Sequence, residues 1–291
     1  MGCGSVQQSV PRIVQAGDIA DALARLCISA CCNLPAENLE RIEALASAEE
    51  SPIGRQVLAT ILENHRLAAR EQRPACQDTG LAVVFIELGQ DVHIAGGDLA
   101  TAINEGVRRG YRDGWLRKSV VADPLFDRVN TGDNTPAIVH TTIVPGDGLK
   151  ITLAPKGGGA ENMSALAMMI PAAGVEGVRK FVVDQVRRAG PNACPPLVVG
   201  VGIGGDFETA PLLAKKALLR KIGSPNPDPR YAAFEAELLE AVNKLGLGPQ
   251  GLGGTTTALA VHIEHAPCHI ASLPVAVNLN CHISAHESIT L

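Results

Sequence analysis

The pentapeptide Cys76-Gln77-Asp78-Thr79-Gly80 sets a thiol, an amide and a carboxylate side by side and closes them with a glycine that permits a tight turn. It lies between a helical stretch ending at Pro74 and a run rich in β-branched residues that begins at Leu81. A thiolate can ligate a metal and a carboxylate can move a proton, so this junction reads as part of a site completed by residues elsewhere. Cys194 and Cys281 share its context, since each adjoins a strand and stands beside Pro, Gly or Asn. Three thiolates on separate loops can hold three corners of an iron–sulfur cube, which ordinarily has four cysteine ligands. The remaining iron would then act as a Lewis acid on substrate. The intervals of 118 and 87 residues match no local motif, and on spacing alone Cys268 is an equally good third ligand.

A second chemical feature is Lys156-Gly157-Gly158-Gly159-Ala160-Glu161-Asn162. Consecutive glycines let backbone N–H groups approach a ligand, and a helix opening there would add partial positive charge suited to a carboxylate or phosphate. The lysine precedes the glycines, so this is not a Walker loop, and it is not a dinucleotide G-x-G-x-x-G. A flexible loop is the alternative. The other cysteines read as small buried hydrophobes. Cys27 and Cys31 fall four apart on one helix face, and core packing is favoured over metal binding because no His or acid accompanies them. No C-x-x-C pair is present, and a disulfide framework does not suit a chain of this size.

The elements that must position these residues follow from periodicity. Asp18 to about Asn33, Ala36 to about Ala48, and Pro52 to about Arg70 predict three helices, the last with Ser51 as cap and Pro52 at its first position. Leu81 to Leu88 predicts a buried strand, with Val92 to Ala95 as a short return strand. Asp98 caps a helix to about Trp115. Ala137 to Val144 and Lys150 to Ala154 predict strands paired across Pro145-Gly146-Asp147-Gly148. Further helices are expected over Gly174–Ala189, Asp206–Lys221 and Pro229–Leu245, with strands over Leu197–Ile203, Thr255–Glu264 and Ala271–Asn280. The fold class is α+β: one domain over 1–291, with a helical segment at 1–75 and a mixed cluster- and substrate-binding region at 76–291.

Composition narrows the function. The 30 acidic against 25 basic residues give a net charge of −5, against a nucleic-acid-binding surface. No apolar run approaches bilayer-spanning length, and the N-terminus lacks a secretory core. It resembles a myristoylation signal, except that Val6 stands where Ser or Thr is required. A cytoplasmic protein is expected.

The stretches CQDTG, KGGGAENMS, NACPPLVVGVGIGG and GLGGTTTALAVHIEHAPCHIASLPVAVNLNCH, in that order, closely resemble the α subunit of two-subunit class I (iron–sulfur) fumarate hydratases. The resemblance covers nearly the whole chain. It implies a 4Fe–4S cluster held by Cys76, Cys194 and Cys281, and it sets Cys268 aside. It also implies substrate contacts from Gln77, Asp78, Arg117, the backbone at Gly159, and His269, with Asp78 suited to proton transfer. The implied reaction is the reversible hydration of fumarate to (S)-malate, a step of the tricarboxylic acid cycle. Single-chain members continue into a second domain, so a separate β subunit is expected to complete the site, in an (αβ)2 assembly. The L(+)-tartrate dehydratase α subunit is a relative that shares CQDTG and NACPP. Its glycine loop typically lacks the features at Lys156, Glu161 and Asn162, which favours fumarate and malate and leaves tartrate as the alternative. A non-catalytic iron–sulfur subunit is the reading from another class.

Overall fold

The computed structural model describes residues 10–291, so Cys3 and the motif around Val6 lie outside the described residues. In chain order the chain forms β1 (Arg12–Gln15), α1 (Ala16–Cys32), α2 (Ala36–Ala48), α3 (Pro52–Glu71), β2 (Leu81–Gly89), β3 (Val92–Ala95) and α4 (Leu99–Asp113). There follow β4 (Ile138–Val144), β5 (Leu149–Lys156), α5 (Gly158–Glu161), β6 (Ala165–Met169), α6 (Gly174–Ala189) and β7 (Leu197–Gly205). The remainder is α7 (Thr209–Ala217), α8 (Pro229–Asn243), β8 (Ala258–Cys268), β9 (Leu273–Asn280) and β10 (Glu287–Thr290). This is an α+β fold. It divides into two compact units, each assembled from separate stretches of chain.

The first unit comprises the chain to Cys31, then Gln77–Pro155 and His286–Leu291. Its sheet has the order β10-β5-β2-β4, and a two-stranded pair joins β1 to β3 in parallel. Two expected pairings are corrected here. β3 does not fold back on β2, and β4 does not pair with β5, because β2 lies between them. β2 and β4 are joined through α4 and therefore run parallel, from Val83↔Ile138 to Gly89↔Val144. The turn after β4 wraps the end of β2, where Gly89 N–H donates to the Gly148 carbonyl and Asp91 N–H to the Gly146 carbonyl. The core unites Ile19, Leu23 and Cys27 of α1 with Ile103, Val107 and Tyr111 of α4 and with the inner faces of β2 and β5. Cys27 is fully buried there, and burial pushes its thiol up to about 12, so it is a packing residue. A span from Ala16 to Ala48 is long and apolar enough to match a membrane helix by composition, but it breaks at Asn33–Pro35 and is mostly buried.

The second unit comprises Cys32–Cys76 and Lys156–Ala285. Its sheet has the order β6-β9-β7-β8, with β7 parallel to β8 and antiparallel to β9. β7 is buried almost end to end, and two of its glycines explain how α7 seats against it. A Cβ at Gly200 would lie 2.1 Å from the Ala214 carbonyl oxygen, and one at Gly202 would lie 2.0 Å from that of Ala210. α6 and α8 pack their Val178, Val182, Leu238 and Val242 into the core on this sheet. α2 and α3 form another cluster with Val198, Leu259 and Ala285. The α3 N-terminus is capped by Ser51 Oγ, which accepts from Gly54 N–H, with Pro52 at the first helical position. Beside it the buried Glu49 carboxylate accepts from the backbone N–H groups of Ser51, Thr255 and Thr256. Burial alone would raise this carboxyl, but hydrogen bonds led by Thr256 hold it down at about 2. The glycine-rich loop before β8 is thereby pinned to the start of α3.

Candidate active site

Cys194, Cys281 and Cys76 all belong to the second unit. Cys194 precedes β7 by two prolines, and Cys281 follows directly on β9. Because β7 and β9 run antiparallel, with Val198 opposite Asn280, these two thiols stand at the same end of the sheet. Cys76 lies within electrostatic reach of Cys281, as Cys194 does. Burial pushes Cys281 up to about 11; charge on the other two thiols adds to the rise, while the Ile283 N–H and Lys156 oppose it. Three cysteine side chains are a donor set that a cationic group would bind by displacing their protons. A single-ion site is a different matter: among the described residues no group of three His, Cys, Asp or Glu is close enough to hold one metal ion. A four-iron cluster spreads its ligands over separate irons, so a thiol set that does not hold one ion can still hold a cluster.

The topology also separates residues that spacing left equivalent. Cys268 ends β8 and pairs opposite Gly205, at the far end of β7 from Cys194. Its Sγ donates to the Ser272 carbonyl at 3.3 Å in an exposed turn. His269 sits in the same turn, where its Nδ1 accepts from Ala271 N–H at 3.1 Å. Eight residues of β9 lie between this turn and Cys281, roughly 25 Å at the rise of a strand. The structure therefore does not bring His269 to the thiols of its own chain.

Cys194 itself has left-handed backbone, with φ 54° and ψ 67°, as the residue that caps the C-terminus of a short 3-10 turn over Gly190–Ala193. A residue with a side chain adopts this region at a cost, and such outliers collect at working sites. Cys194→Gly is expected to raise the stability of the metal-free chain by up to about 1 kcal/mol while removing the thiol, measured by chemical denaturation.

The glycine loop approaches this segment: a Cβ at Gly159 would sit 3.2 Å from the Asn192 carbonyl oxygen. Gly158 and Gly159 are exposed, but the helix they open, α5, is a single turn that gives way to β6. A full helix dipole is thus absent, and exposed backbone remains as the anion-binding feature. Lys156 does not reach outward. It is 3% exposed, donates to the Leu279 carbonyl at 2.7 Å and pairs with Glu161 at 3.1 Å. Glu161 also pairs with Lys215 at 2.6 Å and accepts from Asn278 at 2.9 Å. Burial would raise the Glu161 carboxyl, but the two ammonium groups and their hydrogen bonds hold it down at about 2. Neither Lys156 nor Glu161 points at a ligand; they tie the glycine loop to β9 two residues before Cys281.

In the first unit the turn after Cys76 is gripped from several sides. Gly80 N–H donates to Asp78 Oδ1 at 3.1 Å, an Asx turn that orients the carboxylate. The buried Tyr111 hydroxyl lies 3.0 Å from both the Thr79 and Gly80 carbonyls, and Asn134 Nδ2 donates to Gly80 at 3.2 Å. Thr79 Oγ1 donates to the Arg117 carbonyl at 3.2 Å, which places Arg117 beside this turn with its side chain exposed. Gln77 is exposed and Asp78 half-buried. Tyr111 and Asn134 carry no motif, and no sequence signal singled them out.

The family model described as fumarate hydratase (fumerase) matches residues 20–290. The chain belongs to the fumarate hydratase family. Members of this family are hydro-lyases, and it includes relatives over nearly the whole chain. A protein of Methanocaldococcus jannaschii, provisionally named L(+)-tartrate dehydratase subunit alpha, is 42% identical over 268 residues, covering 90% of this chain and 94% of that one. The L(+)-tartrate dehydratase subunit alpha of Escherichia coli K12 is 37% identical over 262 residues, covering 89% of this chain and 85% of its own. That of Shigella sonnei matches to the same extent.

Proposed function

We propose that this chain is the α subunit of an iron–sulfur hydro-lyase that dehydrates a four-carbon 2-hydroxy dicarboxylate, with L(+)-tartrate as the substrate. The observation that carries the reading is that Cys194 and Cys281 stand at one end of the second unit's sheet, with Cys76 within electrostatic reach of Cys281. Tartrate is preferred to malate and fumarate because relatives at 37% and 42% identity carry that name. The features that favoured fumarate, at Lys156 and Glu161, form an internal ion-pair network and say little about substrate.

A 4Fe–4S cluster held by the three cysteines would supply, when bound, Lewis acidity toward the departing hydroxyl. The chain's own residues supply the rest. Asp78, two positions along the chain from Cys76 and fixed by its Asx turn, takes the proton alpha to a carboxylate. The family resemblance would give Gln77 and Arg117 of the first unit, and the exposed backbone at Gly159 of the second, to binding the dicarboxylate. With tartrate, loss of water leaves an enol that tautomerises to oxaloacetate. Any contact from His269 would fall on a neighbouring chain in an (αβ)2 assembly. A partner β subunit is supported by the relatives' names and by the exposed apolar side chains of Trp115, Leu125, Phe126 and Val129.

The test is anaerobic co-expression with a β-type subunit, followed by iron analysis and turnover of L(+)-tartrate, (S)-malate and fumarate. Oxaloacetate formation from tartrate, faster than fumarate–malate interconversion, is expected. The opposite order moves the assignment to fumarate hydratase, and iron bound without turnover of any of the three moves it to a non-catalytic subunit.

A further inference from the structure

Two consecutive residues of α3 each hold the chain beside one thiol of the site. Asn64 Nδ2 donates at 2.8 Å to the carbonyl of Ala75, the residue before Cys76. His65 Nε2 lies 3.3 Å from Nδ1 of His282, the residue after Cys281, one ring donating and the other accepting. The two rings meet edge to face with centroids 5.5 Å apart. His65 is 2% exposed, and its other nitrogen, Nδ1, has no hydrogen-bond partner. A buried imidazole with one nitrogen unsatisfied costs stability that a leucine of similar size would not, so packing alone does not account for it. The helix that carries both residues is well anchored, capped by Ser51 and buried along Leu58, Ile61 and Leu62.

We propose that α3 is a template that sets the separation between Cys76 and Cys281, with Asn64 and His65 as its positioning residues. The two thiols come from stretches more than 200 residues apart in sequence. Neither flanking segment is in a regular element at the thiol. Irregular segments drift unless tied, and a multi-point ligand set tolerates only about 0.5 Å of displacement. One rigid helix turn bonded to both flanks removes that freedom before any group binds. The proposal rests on the reading of the three cysteines as a cluster site, but its geometric core concerns the metal-free chain.

The test uses the full chain with Asn64→Asp and His65→Phe, which keep side-chain shape while removing the N–H donor and the ring nitrogens. His65→Gln is the conservative variant that retains a side-chain N–H. In the metal-free protein, a short bismaleimide should link Cys76 to Cys281, read as the linked tryptic peptide by mass spectrometry. Both lesions should lower the yield of that peptide, and His65→Gln should restore part of it. After anaerobic reconstitution, iron retained against a chelator should show an affinity about 10-fold or more weaker in the two lesions. Circular dichroism and melting serve to normalise for folding. Variants that lose stability yet cross-link and hold iron like the unaltered chain overturn the template. An unaltered chain that binds no iron overturns the cluster reading instead, and the cross-linking arm still decides the template.

Discussion

Cys281→Ser is expected to leave the protein colourless and without iron, and to lower turnover of the assembled enzyme by roughly 10³-fold or more, the scale of losing Lewis-acid assistance to a leaving group. Cys268→Ser is expected to leave both iron content and turnover unchanged. The contrast follows from strand direction. Cys281 leaves β9 at the end where Cys194 enters β7, whereas Cys268 leaves β8 at the other end, opposite Gly205. A serine hydroxyl remains protonated at neutral pH and does not replace a thiolate as a ligand to iron. The measurements are iron content by elemental analysis and steady-state rates on anaerobically purified protein. Loss of iron on Cys268→Ser with retention on Cys281→Ser would overturn the assignment.

The second large effect concerns stability. Glu161→Gln is expected to destabilise the fold by about 3–5 kcal/mol, because it leaves the buried Lys156 ammonium without its counter-ion. Lys156→Met should cost less, since Glu161 keeps Lys215 and Asn278. The double variant Lys156→Met/Glu161→Gln should be more stable than the sum of the single losses, the signature of a coupled pair. The acid profile follows from the same network. The folded state holds the Glu161 carboxyl at about 2, below its ordinary 4.5, so between these values it binds fewer protons than the unfolded chain. Its stabilisation is fully present above pH 4.5 and drains away as pH falls toward 2. Denaturation midpoints measured across that window should fall more steeply for the unaltered chain than for Glu161→Gln.

The local elements were largely legible in the chain. α2, β3 and α6 have the residue limits that periodicity predicts, and Ser51, Pro52 and Asp98 sit where caps and a first helical position were expected. Pairing was less legible, because it depends on partners remote in sequence. The short turn at Pro145–Gly148 suggested a hairpin, yet β2 intervenes, its run of buried side chains pairing on both edges. β6 went unread because Ala165-Leu166-Ala167-Met168-Met169 has poor intrinsic strand preference and becomes a strand by pairing with β9. At the site, junction context singled out Cys76, Cys194 and Cys281, while spacing left Cys268 and Cys281 equivalent. The family resemblance set Cys268 aside, and sheet direction puts it at the far end of β7 from Cys194. Lys156 read as a mark of substrate choice, and its burial makes it part of the scaffold instead. Asn64 and His65 carry no motif, since their meaning lies in two bonds to residues 11 and 217 positions away.

The left-handed backbone at Cys194 bears on how this fold evolves. Most positions of a protein resist change because change costs stability. Here a drift to glycine would be welcomed by the backbone and opposed only by selection on the thiol. Among homologues, glycine at position 194 would therefore mark lineages in which that selection has lapsed, and a retained cysteine is a running record that the site is still in use.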